Sequence, residues 1–248
     1  MYKRQVLQIK KLSFSYQNNK ILNSISFNLY KGETLGLVGE SGSGKSTISK
    51  CILGINNHVE GEIIYNNKNI NSITRKVFRK NVQLVFQDPY SSLNPEMKIG
   101  DSIIEPMNVH KILKKSERES EAIKLLEDVG LKKEDFHKYP TQFSGGQRQR
   151  IVIARALSIK PKIIICDESV SALDVSVQSQ VLNLLNDLKD TYSITLLFIS
   201  HDLSVIKYIA DRLIVLKKGR IEEINETDSI FKNPKSTYTK HLLSSSGY

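Results

Sequence analysis

Lys45, Ser46, Asp167 and Glu168 are the residues of this chain whose types and neighbours point first to chemistry. Lys45 and Ser46 lie near the end of the run Gly39-Glu40-Ser41-Gly42-Ser43-Gly44-Lys45-Ser46-Thr47, which fits the pattern G-x-x-x-x-G-K-[ST]. In such a run the glycines let consecutive backbone N–H groups converge on one anion. The lysine reaches the outer phosphates of a nucleotide, and the serine hydroxyl binds Mg²⁺. Asp167 and Glu168 follow the apolar run Ile163-Ile164-Ile165-Cys166. Asp167 fits a carboxylate that organises Mg²⁺ through water, and Glu168 fits the group that polarises an attacking water. A third segment, Phe143-Ser144-Gly145-Gly146-Gln147-Arg148-Gln149-Arg150, offers a helix N-cap serine and two glycines that allow close backbone approach.

These residues need elements to hold them. Leu35-Gly36-Leu37-Val38 reads as a buried strand before the first run, and residues 48–53 continue as a helix after it. Strand, turn and helix N-terminus make a phosphate cradle, the helix adding unsatisfied donors and the positive end of its dipole. An ordinary Gly/Ser turn would explain the glycines but not Lys-Ser at that place after a strand. The run at 163–166 is continuously apolar, as a strand buried in a parallel sheet should be, and its C-terminal end is where an open α/β sheet binds ligands. A strand that merely ends in a polar turn would look the same; downstream of a phosphate loop the two carboxylates gain a use. The helix predicted over 147–157 starts at a second anion cradle. One nucleotide has one γ-phosphate, which the first cradle already serves, so the natural use of the second is to complete a site on another copy.

Along the rest of the chain, residues 6–14 and 21–29 alternate as antiparallel strands, with Gln17-Asn18-Asn19-Lys20 as the turn. Residues 61–65 and 82–86 read as further strands. From 88 to 158 the pattern is mostly helical, with 117–129 the clearest amphipathic stretch. Strand signals return at 162–166, 195–199 and 213–216, with a helix over 177–188. The pattern is an α/β core interrupted by a helical insertion.

Composition bounds the classes. The 248 residues suffice for one large domain or two lobes, with 40% hydrophobic and 25% charged residues. No apolar run approaches the ~18 residues of a membrane span, and no apolar stretch follows Lys3 and Arg4, so neither a span nor a leader peptide is expected. Cys51 and Cys166 lie in apolar elements and form no CxxC pair, which reads as buried free thiols in a reducing cytosol. The net charge of +10 permits nucleic acid, an anionic membrane surface or an acidic protein as partner, and its spread along the chain also fits a solvated surface.

Taken together and in order, these motifs resemble the ATP-binding subunits of ABC transporters over nearly the whole chain. The resemblance makes residues 39–47 the Walker A loop, 163–167 Walker B with Glu168 as catalytic glutamate, and Ser144-Gly145-Gly146-Gln147 the signature motif. It adds Tyr16 as the aromatic that stacks on adenine and Gln87 as the Q-loop glutamine, which senses the γ-phosphate and helps bind the metal. Ser171-Ala172-Leu173-Asp174 becomes the D-loop, with Asp174 facing nucleotide, and His201 the switch histidine. Phe143 and Ser169 depart from the usual Leu and Pro, both at supporting positions. The implied fold is α/β: a RecA-like P-loop NTPase core with an antiparallel β lobe and a helical insertion subdomain. The implied organisation is a single domain over 1–248, with a core lobe at about 1–87 and 159–230, a helical subdomain at about 88–158 and a tail at 231–248.

Val85-Phe86-Gln87-Asp88-Pro89-Tyr90-Ser91-Ser92-Leu93-Asn94-Pro95, Asp174-Val175-Ser176-Val177-Gln178 and residues 231–243 resemble the oligopeptide/dipeptide/nickel importer subfamily. That resemblance implies ATP and Mg²⁺, and a sister ATPase chain in a heterodimer, with a homodimer as the alternative. It also implies two transmembrane permeases, an extracytoplasmic binding protein acting indirectly, and a place on the cytoplasmic face of the membrane. Peptides, Ni²⁺ and metallophore complexes are all cargoes within it. With no cysteine after Cys166, no iron–sulfur or zinc site is expected. The competing class is a nucleic-acid ATPase, which the basic charge permits. Such proteins usually part their two halves with a long coiled coil or add zinc modules, and this chain has neither heptads nor Cys clusters, so no nucleic acid is expected as partner.

Overall fold

The computed structural model describes residues 4–248. They form two compact units: the chain up to Phe78 joins Thr195–Tyr248 in one, and Arg79–Ile194 makes the other.

The first unit opens with β1 (Gln5–Tyr16) and β2 (Asn19–Tyr30), antiparallel and longer than their alternation implies. Gln17 takes a left-handed backbone, so the turn closes in two residues rather than the four expected. β3 (Thr34–Val38) is buried at every position and leads into the phosphate loop. Then come α1 (Lys45–Ile52), β4 (Glu60–Tyr65), which pairs antiparallel with β1, the short β5 (Lys68–Asn69) and α2 (Arg75–Asn81) at the boundary.

In the second unit β6 (Val82–Val85) runs parallel to a later strand, with Val82 opposite Ile163 and Val85 opposite Cys166. The helical stretch contains α3 (Pro89–Ser92), α4 (Ile99–His110), α5 (Arg118–Asp128) and α6 (Gly145–Leu157). Ile99, Ile103 and Met107 of α4, Leu125 and Leu126 of α5 and Ile151 of α6 are all buried, which is the helical-period stripe the sequence shows. β7 (Ile163–Asp167) is buried throughout, and α7 (Val175–Tyr192) buries Val181, Leu182, Leu185 and Leu188.

The chain then returns to the first unit through β8 (Thr195–Ile199), α8 (Leu203–Ile209), β9 (Arg212–Lys217), β10 (Arg220–Glu226), α9 (Thr227–Lys232) and α10 (Thr237–Ser245). β3 lies between β8 and β9 and is parallel to both. β10 escapes the sequence reading. Its side chains alternate inward and outward, but Glu223, a carboxylate, takes the buried position while Ile224 faces out, so no apolar alternation shows in the sequence. Among the described residues no helix is long and apolar enough to cross a membrane. Both cysteines are free and buried, as their apolar settings imply, and burial pushes the Cys166 thiol up to about 12.

Candidate functional site

The phosphate loop is fixed by contacts its glycines permit. A Cβ on Gly39 would lie 2.1 Å from the Leu216 carbonyl oxygen, so only glycine lets the loop rest on the end of β9. Gly44 caps α1 in a left-handed conformation, φ 106°. Ser43 ties the loop to the β9–β10 turn, its carbonyl accepting from Gly219 N–H at 2.9 Å. Lys45 is only 5% exposed. Its Nζ donates to the Gly39 carbonyl at 2.8 Å and to the Glu40 carbonyl at 3.1 Å. The Ser43 hydroxyl is buried and has no hydrogen-bond partner among the described residues. A buried ammonium beside an orphaned hydroxyl, at a helix N-terminus, is a donor set suited to a phosphate. Ser46 and Thr47 follow in the first turn of α1, half-buried, while Glu40, Ser41 and Gly42 are exposed.

Two other predicted residues lie in the same unit. The Tyr16 ring, 46% exposed, stands edge-on to Phe14 at 4.7 Å, and its hydroxyl donates to Asn56 Oδ1 at 3.3 Å. The ring therefore has open surface for a stacking partner. His201 is exposed between β8 and α8. Next to it, Asp202 caps α8 by accepting from the N–H groups of Ser204 and Val205. Burial alone would raise the Asp202 pKa; the Ser204 and Val205 bonds and His201 outweigh it and hold the carboxyl below its ordinary range.

The second unit holds the remaining predicted residues. Asp167 is the last, buried residue of β7, inside the strand rather than just beyond it. Glu168 follows with φ 50°, a left-handed conformation costly for a residue with a side chain. Its carbonyl accepts from both the N–H (3.1 Å) and the hydroxyl (2.9 Å) of Ser171. Gln87, two residues past β6 and exposed, donates from Nε2 to the same Ser171 hydroxyl at 3.1 Å. Ser171 thus links Gln87 to the strained Glu168 backbone. Sequence reasoning placed Ser171 in the D-loop but gave it no task, because the left-handed backbone at Glu168 that its hydroxyl serves is visible only in the fold. Asp174 is exposed and starts α7, its carbonyl accepting from Gln178 N–H at 2.8 Å.

Ser144 is the N-cap the sequence implies. Its Oγ accepts from Gln147 N–H at 3.3 Å while Gln147 Oε1 accepts from Ser144 N–H at 3.0 Å, a capping box. α6 therefore begins at Gly145, two residues earlier than the periodicity implies. The glycines differ. A Cβ on Gly146 would meet Val177 Cγ1 at 2.2 Å, so packing against α7 demands that glycine, whereas Gly145 would meet nothing closer than Leu173 at 3.6 Å. Phe143 is buried, with the Lys138 ammonium 5.9 Å from its ring centre, which suits a supporting role.

The ABC transporter family model matches residues 22–171. The chain is 50% identical over 230 residues to the oligopeptide transport ATP-binding protein OppF of Bacillus subtilis, covering 91% of this chain and 75% of that protein. It is 43% identical over 253 residues to the dipeptide transport ATP-binding protein DppF of Lactococcus lactis, covering 98% and 81%. Among solved structures, the dimeric post-hydrolysis state of the ATP-binding cassette MJ0796 bound to ADP and Pi aligns with a TM-score of 0.77 at 28% identity, covering 89% of this chain and 98% of that one.

Proposed function

The chain belongs to the ABC transporter family, and on that premise we propose that it is the ATP-binding subunit of a bacterial peptide importer, hydrolysing ATP to energise uptake of oligopeptides or dipeptides. The observation that carries the nucleotide part is the buried Lys45 ammonium on its loop carbonyls beside the orphaned Ser43 hydroxyl. The names of the similar OppF and DppF proteins support the cargo.

In this reading residues 39–47 take the phosphates and Tyr16 stacks on adenine. Ser46, Gln87 and Asp167 offer the oxygen donors a hard divalent cation prefers and would hold Mg²⁺, which offsets phosphate charge when bound. Glu168 orients and polarises the attacking water, with His201 as the second catalytic group. Gln87 senses the γ-phosphate, and its bond to Ser171 gives it a route to Glu168. Residues 144–147 and Asp174 face a nucleotide held by a second ATPase chain. MJ0796 is dimeric in its ADP- and Pi-bound state, which supports a two-chain arrangement. The helical stretch 88–158 meets the two permeases, so the chain works as a peripheral protein on the cytoplasmic face of the membrane. A binding protein outside supplies cargo.

The test is reconstitution in lipid vesicles with the sister ATPase, both permeases and the binding protein. Short peptides should stimulate ATP turnover and accumulate in an ATP-dependent way. Stimulation by Ni²⁺ or by duplex DNA with no response to peptides would overturn the cargo.

A further inference from the structure

Residues 231–243 mark the subfamily in sequence but have no part in the chemistry above. Their place in the fold gives them one. The phosphate loop rests on the β9–β10 turn at Gly39 against the Leu216 carbonyl and at Ser43 bonded to Gly219. Lys217 ends β9 just before that turn, and its ammonium lies 4.4 Å from the centre of the Tyr238 ring. Tyr238 stands in the first turn of α10 and is 8% exposed.

α10 is itself pinned to β10. The buried Glu223 carboxylate accepts from Lys235 N–H at 3.1 Å and Ser236 N–H at 3.1 Å, just before the helix. Burial alone would raise its pKa, but these bonds outweigh it and hold the group below its ordinary range. The Ser236 hydroxyl in turn caps Tyr238 N–H at 3.2 Å. The Tyr238 side chain is therefore delivered to a fixed place. Its hydroxyl is buried without a partner in full hydrogen-bond geometry, and Glu40 of the phosphate loop acts on it through both its backbone and its carboxylate. Burial pushes that hydroxyl above the ordinary tyrosine range, with the Glu40 backbone working against the rise and the Glu40 carboxylate adding to it. The Glu40 carbonyl is one of the two that hold the Lys45 ammonium.

We propose that Tyr238 is a positioning residue for the phosphate loop: α10 braces the loop through Tyr238, packed on Lys217 and facing Glu40, and so preorganises it for nucleotide. The inference rests on the reading that residues 39–47 bind the phosphates of ATP. A loop already held in its binding shape spends less binding energy on ordering. Removing the brace should therefore weaken nucleotide binding through the loop. The same brace gives a physical reason for a tyrosine at this place in the C-terminal segment.

The experiment is ATP titration of the purified full chain as wild type, Tyr238→Phe, Tyr238→Ala and Lys45→Ala, with thermal melts of each without nucleotide. Tyr238→Ala should raise the ATP Kd about tenfold and Tyr238→Phe, which keeps the ring on Lys217 but loses the hydroxyl's interaction with Glu40, about two- to threefold. In the assembled transporter the Ala variant should raise KM while kcat stays within about twofold. A melt lowered by Tyr238→Ala with wild-type ATP affinity would make the residue mere packing and overturn the brace. So would equal effects of Tyr238→Ala on KM and kcat. Lys45→Ala separates the two claims. If it loses affinity while Tyr238→Ala keeps it, only the brace fails; if it too binds ATP normally, the phosphate-loop reading fails and the brace with it.

Discussion

At residues 39–47 the loop carries its own cation; at residues 144–147 the helix start does not. Lys45 is buried and held over the Gly39 and Glu40 carbonyls, and the Ser43 hydroxyl waits without a partner. In the second segment Ser144 and Gln147 spend their polar groups on each other. The nearest cation in sequence, Arg148, is turned into the fold. Its Nε donates to the Pro140 carbonyl at 2.7 Å, and its guanidinium lies 3.9 Å from the centre of the Tyr90 ring. In the proposed function the first cradle holds a phosphate by itself. The second offers backbone donors and a helix dipole, and is suited to completing a site on a phosphate that another chain already holds.

That difference can be broken from the chemical side first. Glu168→Gln keeps size and hydrogen-bonding capacity but removes the negative charge. ATP should still bind, while turnover in the assembled transporter falls by ~10²–10⁴-fold. Crosslinking across the ATPase interface should show the two-chain state accumulating in ATP. Wild-type turnover would remove Glu168 from its role, and loss of ATP binding would make it structural instead.

Lys45→Ala attacks the self-sufficient cradle. It removes a charge-assisted phosphate contact, so the ATP Kd of the isolated chain should rise by about 10- to 100-fold. Titration with near-unchanged affinity would contradict the claim that this cradle carries its own cation to the nucleotide.

The smallest effect sharpens the contrast within the second cradle. Gly146→Ala puts a methyl into Val177 and should cost ~1–3 kcal/mol in denaturant unfolding. Gly145→Ala meets only ordinary contact and should stay within about 0.5 kcal/mol. Equal costs at both glycines would deny the packing reason for Gly146.

Much of this was legible in the sequence because its signals are local. Residues 163–167 are continuously apolar up to the carboxylate and fold as a strand buried throughout. The amphipathic stretch at 117–129 is α5. Ser144 caps its helix as its type implies. What stayed hidden depends on distant partners. Gly146 reads as room for an anion, but Val177, 31 residues on, fills the space. The link from Gln87 through Ser171 to the Glu168 backbone spans 84 positions at its first bond. β10 was masked by its inward Glu223 and outward Ile224, and Tyr238 gains meaning only once Lys217 and Glu40 lie beside it. The short α8 and α9 span about two turns each, too few for a 3.6-residue period to declare itself.

The central claim, that one cradle binds nucleotide alone and the other serves a second chain's nucleotide, is tested most directly by Ser144→Arg with two readings taken in parallel. One is ATP affinity of the isolated chain; the other is ATP turnover in the assembled transporter. The account predicts affinity within about twofold of wild type, because Ser144 does not serve the chain's own loop, and loss of hydrolysis at the composite site containing this signature, because the bulky cation fills it. Normal hydrolysis at that site by a correctly assembled variant, or a large loss of ATP affinity in the isolated chain, would contradict it.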